Sequence, residues 1–108
     1  RCAFFGCSSL TKIKFPSSLE SIGSYAFQEC TSLVELSIPS SVSKIGIRCF
    51  CKCSSLARVE FLSSEIIFDL EVFKNCDSLK QVTILSSLEL DLENIGIRPD
   101  DSFKLLKI

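Results

Sequence analysis

Residues 30–52 read CTSLVELSIPSSVSKIGIRCFCK, and the same skeleton returns every 23 residues. Units open at Cys7, Cys30, Cys53 and Cys76. Each cysteine is followed by a Ser-Leu pair: Ser9-Leu10, Ser32-Leu33, Ser55-Leu56 and Ser78-Leu79. Each unit also carries a Ser-Ser pair at one offset, at 17–18, 40–41, 63–64 and 86–87. A period of this size means a stacked repeat, in which one coil cannot bury its apolar set alone and does so against its neighbours.

Within a unit three sub-segments recur. The first is Leu33-x-x-Leu36-x-Ile38, matched by Leu10, Ile13 and Phe15, by Leu56, Val59 and Phe61, and by Leu79, Val82 and Ile84. Its last residues alternate in and out, the period of a strand. Short strands are therefore expected at about 12–15, 35–38, 58–61 and 81–84. Pro16 and Pro39 end two of them, because proline has no N–H to give a ladder. The Ser-Ser pair follows as a turn. The second sub-segment, Leu19-x-x-Ile22-Gly23 and Val42-x-x-Ile45-Gly46, reads as an extended piece on the opposite side of the coil. In the third unit it becomes Glu65 to Asp69, losing the glycine and keeping the length. The third sub-segment, ending in Phe27, Phe50 and Phe73, has room for one 3₁₀ turn.

The pattern thins after Leu88. Gly96 and Pro99 stand where the phenylalanine and cysteine are due. Two displaced echoes remain. Residues 94–98 (NIGIR) echo 44–48 (KIGIR), and 102–108 echo 32–38, which predicts one more strand. Either a covering end unit or simple drift accounts for the irregularity. The expected organisation is a single repeat domain over 1–108. It comprises a partial unit 1–6, units 7–29, 30–52, 53–75 and 76–98, and a degenerate final strand or cap over 99–108. The chain opens on Arg1 inside a repeat and reads as a segment of a longer one.

Composition narrows the function classes. At 46% hydrophobic residues the chain is a folding one. Twelve basic against 13 acidic residues leave no basic excess for nucleic acid or an anionic membrane. No apolar run approaches the ~18 residues of a membrane-inserted span. There is no histidine, so a nucleophile with a histidine base is absent, and no paired carboxylates, phosphate cradle or cofactor motif appears. No catalytic residue and no cofactor is assigned. Cys49-x-Cys51-x-Cys53 invites a zinc reading, but a structural site wants four ligands at wider spacing. Cys53 belongs to the repeat column and Cys49 to the column of Ala3, Ala26 and Val72, so both read as packing, and no metal is assigned. Seven cysteines, an odd number, do not look like a disulfide framework.

The signature CxSLxxLxIPxSVxxIGxxxF, as it stands from Cys30 to Phe50, resembles the BspA-like class of leucine-rich repeats over residues 1–88. The resemblance implies a leucine-rich-repeat solenoid. One parallel sheet would line its concave side, with short extended and 3₁₀ segments on the convex side. It also implies a non-enzymatic protein-binding module at a cell surface or outside the cell, of adhesion type, whose partners include host extracellular-matrix or cell-surface proteins. An intracellular scaffold or a plain spacer is the alternative reading. The sheet residues that point outward form the candidate binding face: Lys12, Lys14, Val34, Glu35, Ser37, Arg58, Glu60, Gln81 and Thr83. The other reading of these residues is an ordinary solvated surface of alternating charge.

Overall fold

The computed structural model describes residues 9–108. The partial unit 1–6, the opening cysteine of the first unit, and Cys2, Ala3 and Phe4 lie outside the described residues. Two parallel sheets run along the stack. Strands β2 (Glu35–Ile38), β4 (Arg58–Phe61), β6 (Gln81–Ile84) and β7 (Lys104–Lys107) form one sheet in chain order. Strands β1 (Ser21–Ile22), β3 (Lys44–Ile45) and β5 (Ile67–Phe68) form the other. The expected strands at 35–38, 58–61 and 81–84 are all present. The strand expected at 12–15 is reduced to one bridge, Lys12 with Glu35. The convex extended pieces do more than run parallel, because they pair into a sheet of their own.

Register follows the 23-residue step. Glu35 pairs with Arg58 and Arg58 with Gln81, while Ser21 pairs with Lys44 and Lys44 with Ile67. The repeated apolar positions therefore superpose. Cys30, Leu33, Leu36, Ile38, Val42, Ile45 and Phe50, the inward set of the second unit, are all buried in one continuous core. The phenylalanines of successive coils stack. Phe27 to Phe50 is 5.4 Å between centroids and Phe50 to Phe73 is 5.5 Å, with rings within 5° and 9° of parallel. Each such ring, once buried, contributes about 1.5–3 kcal/mol by removal from water.

The third sub-segment is a chain of linked turns. Bonds of the 3₁₀ kind occur at alternate residues: Ala26 N–H to Gly23 O, Gln28 N–H to Tyr25 O, Cys30 N–H to Phe27 O. The amides between them turn along the stack instead. Tyr25, Phe27 and Glu29 donate to Ile47, Cys49 and Cys51 of the following coil. The next coil repeats this, with Arg48, Phe50 and Lys52 donating to Leu70, Val72 and Lys74. The alternation puts Tyr25, Arg48 and Glu71, and Glu29, Lys52 and Asn75, at φ between 49° and 63°. Left-handed backbone costs a non-glycine residue roughly 1–2 kcal/mol. The bonds between coils oppose that cost.

The cysteine column has a polar duty besides packing. Cys53 Sγ donates to Phe27 O at 3.3 Å, and Cys76 Sγ donates to Phe50 O at 3.1 Å. A small apolar side chain with a weak donor both fills the corner and ties it to the coil before. The Ser-Ser turn is held in a similar way. Buried Ser63 Oγ lies 2.8 Å from both Pro39 O and Val42 O and can donate its one proton to either. Loss of the glycine in the third unit leaves the path of the chain intact. Asp69 N–H bonds Ile45 O just as Gly46 N–H bonds Ile22 O.

The additional strand expected in the tail is present as β7, but the displaced echoes do not give the register of the C-terminal end. Ile95 does not take the place of Ile45. Its carbonyl accepts from Phe73 N–H, as Cys49 and Val72 accept from Phe27 and Phe50, so Ile95 continues the column of Cys49 and Val72. In β7, Lys104 rather than Leu105 is the counterpart of Glu35, since Gln81 pairs with Lys104 and Thr83 with Leu106. The shift of one residue exchanges the two faces of the strand. Leu105 falls in the inward column of Val59 and Val82, and Leu106 falls on the outer face. Leu105 and Leu106 are about equally exposed, at 38% and 41%, so the apolar pattern could not choose between the two registers. The backbone does, through Lys104 N–H to Lys80 O and Ile108 N–H to Ile84 O.

Candidate binding face

The four-stranded sheet turns its outward residues into two straight columns. One runs Lys12, Glu35, Arg58, Gln81, Lys104, and the other runs Ser37, Glu60, Thr83, Leu106. Lys12, Glu35, Ser37, Arg58, Glu60, Gln81 and Thr83 line one shallow groove of about 310 Å³. The structure thus brings most of the expected face into one place. The other two residues lie apart from this groove. Lys14 borders an adjoining apolar hollow of about 470 Å³ with Leu10, Phe15 and Leu19, which Lys12 lines as well. Val34, 37% exposed, sits on the flank, where its N–H bonds Thr11 O and its carbonyl takes Ala57 N–H.

Charges on the face are partly spent on one another. Arg58 Nη2 pairs with Glu35 Oε2, and Ser37 Oγ donates to Glu60 Oε1 at 3.1 Å. All four belong to neighbouring coils at the same offset, so the alternation of sign read along the repeats becomes lateral contact across strands. Gln81 and Thr83 carry no charge, and the last strand adds Lys104 and Leu106 to the columns.

Sequence reading missed a rim. Strand pairing continues one residue beyond each strand, with Leu62 N–H on Ile38 O and Ile108 N–H on Ile84 O. Pro39, Leu62, Leu85 and Ile108 therefore form an apolar border beside the polar columns, and Leu62 and Ile108 are 36% and 63% exposed. The 23-residue offset from Pro39 carries the signal, and it is obscured because proline also stops a strand.

Elsewhere, the left-handed positions carry a second ion-pair group. Arg48 Nε meets Glu71 Oε1 at 2.7 Å, and Lys74 Nζ meets Glu71 Oε2 at 3.1 Å. Hydrogen bonds from Arg48 and then Lys74 hold the Glu71 carboxyl below its ordinary range. Lys80 and Ser102 do the same to Asp100, which ties the irregular tail to the sheet flank. Burial pushes the Cys49 thiol up to about 12. The thiol of Cys76 is raised as well, first by its contact with Cys53 and then by burial. Held neutral by burial, the Cys49 thiol is a poor nucleophile and a poor metal ligand, whereas the hydrogen bond with Cys76 lowers the Cys53 thiol. Among the described residues no group of three or more histidine, cysteine, aspartate or glutamate side chains could hold a metal ion. Among the same residues no helix is long and apolar enough to cross a membrane.

A family model described as BspA type leucine rich repeat region (6 copies) matches residues 1–95. Among solved structures, a leucine-rich repeat protein from Bacteroides ovatus ATCC 8483 is similar, with a TM-score of 0.81 and 36% identity over 99% of this chain. The chain spans 27% of the length of that structure. No curated protein matches the sequence.

Proposed function

The chain belongs to the BspA-type leucine-rich repeat family, and from that premise we propose that its four-stranded sheet is a protein-binding face. One observation carries the reading. The inward columns repeat leucine, isoleucine, valine and phenylalanine, whereas the outward columns bring differing residues of four coils into one groove. Stacking accounts for what repeats. It places no demand on Lys12, Glu35, Ser37, Arg58, Glu60, Gln81 or Thr83, which are free to be specific to a partner.

In this reading the module is non-enzymatic and belongs to a surface or secreted protein of adhesion type. Its partner is an extracellular-matrix or cell-surface protein of a host. Support for the compartment comes from the family alone. The test is joint replacement of Lys12, Glu35, Arg58 and Glu60 by alanine, with binding to a panel of immobilised matrix proteins measured by surface plasmon resonance. Binding to at least one matrix protein that falls at least tenfold in the variant is expected. Unchanged binding refutes this face, and no binding by either chain favours the scaffold or spacer reading.

A further inference from the structure

The second sheet ends on an open edge. Strand β5 pairs with β3 on one side only. Ile67 N–H and Asp69 N–H turn toward Ser43 O and Ile45 O of the preceding coil. The alternation of a strand therefore aims the Phe68 amide the other way, where the described residues hold no fourth strand. The reason lies in the fourth unit. Asp91 stands 23 residues after Phe68, and its Oδ1 takes Asn94 N–H at 3.2 Å. The chain then turns, with Ile95 N–H on Asp91 O and Gly96 N–H on Glu93 O. A capped turn replaces the strand that would have completed the ladder.

A groove of about 580 Å³ lies along this edge, between Glu65, Ile66 and Ile67 on one side and Ser87, Leu88 and Glu89 on the other. Its lining is mixed: Ser43, Ser64 and Ser87 stand beside Ile67, which is 70% exposed, and Leu70, just beyond, is 47% exposed. Its surroundings are acidic. Glu65, Asp69, Glu89, Asp91 and Glu93 form no ion pair among the described residues. Lys44, opposite Ile67 on β3, is the one cation of the three paired strands β1, β3 and β5.

An unpaired strand edge, the exposed apolar side chains of Ile67 and Leu70 and an acidic rim together define an occupant. We propose that β5 takes up an extended polypeptide segment of alternating basic and apolar residues as a fourth strand. Main-chain bonds would go to the free edge, apolar side chains to exposed Ile67 and Leu70, and lysine or arginine side chains to Glu65 and Glu89. This surface is separate from the face of the four-stranded sheet, and it stands or falls independently of the adhesion reading.

The probe is a capped heptapeptide of alternating lysine and valine, with a glutamate–valine peptide as control. Amide hydrogen exchange by NMR reads the edge directly. The lysine peptide should slow exchange at Phe68 at least tenfold, and its affinity should fall at least tenfold between about 0.05 and 0.5 M salt as the charges are screened. Glu65→Lys with Glu89→Lys should weaken binding at least tenfold without a change in melting temperature. Should that pair fail to fold, Ile67→Lys, at a position 70% exposed, tests the same groove. An N-methylated lysine–valine peptide, unable to pair along one edge, should not bind. Equal binding of the glutamate peptide, protection confined to β2, β4 and β6, indifference to the charge reversal, or no binding at all would each overturn the proposal.

Discussion

Phe50→Ala tests the stacking argument where it is strongest. Phe50 is 0% exposed and lies between Phe27 and Phe73, at 5.4 and 5.5 Å with near-parallel rings. Truncating a fully buried phenylalanine costs about 3–5 kcal/mol, from lost transfer energy and from the cavity left behind. The upper half of that range is expected, because both neighbouring rings lose their partner and the column cannot collapse without breaking its register. A domain of this size is stable by roughly 5–15 kcal/mol, so the variant loses a large part of it. At roughly 4–8 °C per kcal/mol the melting temperature should fall by about 16–40 °C. The control is Glu35→Ala, which removes an ion pair whose partners are 47% and 51% exposed and should cost under about 1 kcal/mol. Urea and thermal unfolding by circular dichroism measure both. Equal melting temperatures for the two variants would refute the stacked core.

Other consequences are equally direct. Lys52 sits at φ 62° and is exposed, with Glu29 no closer than 3.9 Å, so Lys52→Gly should stabilise by about 0.5–1 kcal/mol, read as a higher urea midpoint. Gly46→Ala should cost about 1–3 kcal/mol in the same assay, because the new Cβ would fall 2.5 Å from Ser24 N and 2.8 Å from Ser24 Cα, both backbone atoms. The Cys49 thiol is neutral when folded up to about 12 but ionises from its ordinary 9.0 when unfolded. The unfolded chain therefore binds fewer protons in that window, and stability falls as pH rises through it, by up to about 1.4 kcal/mol per pH unit. Cys49→Ala, matching Ala26 one coil earlier, should flatten that slope in urea titrations run at several alkaline pH values. Glu71→Gln should have the opposite signature. The depressed Glu71 carboxyl stabilises the fold above its unfolded range, and that contribution is lost as pH falls through the folded value, so the variant should show weaker acid destabilisation.

The amino-acid sequence alone determined which residues go inside and where the strands of regular units lie. A fixed step of 23 residues superposes like on like, so Cys30, Leu33, Leu36, Ile38, Val42, Ile45 and Phe50 could be assigned to the core from spacing alone. The same step identified the outward columns of the groove. It did so because an outward position is the one that stacking leaves unconstrained. The tertiary structure decided everything that depends on a partner about one coil away. The pairing of β1, β3 and β5 is such a case, since two-residue strands have no pattern of their own to read. So are the left-handed positions, which exist because alternate amides turn toward the following coil. The register of β7 is another, where half-exposed Leu105 and Leu106 suit either face and only backbone bonds to Lys80 and Ile84 choose. The open edge of β5 is the last. Asp91 reads in the sequence as one polar residue in a fading repeat, and folding makes it the cap of a turn where a strand would have stood.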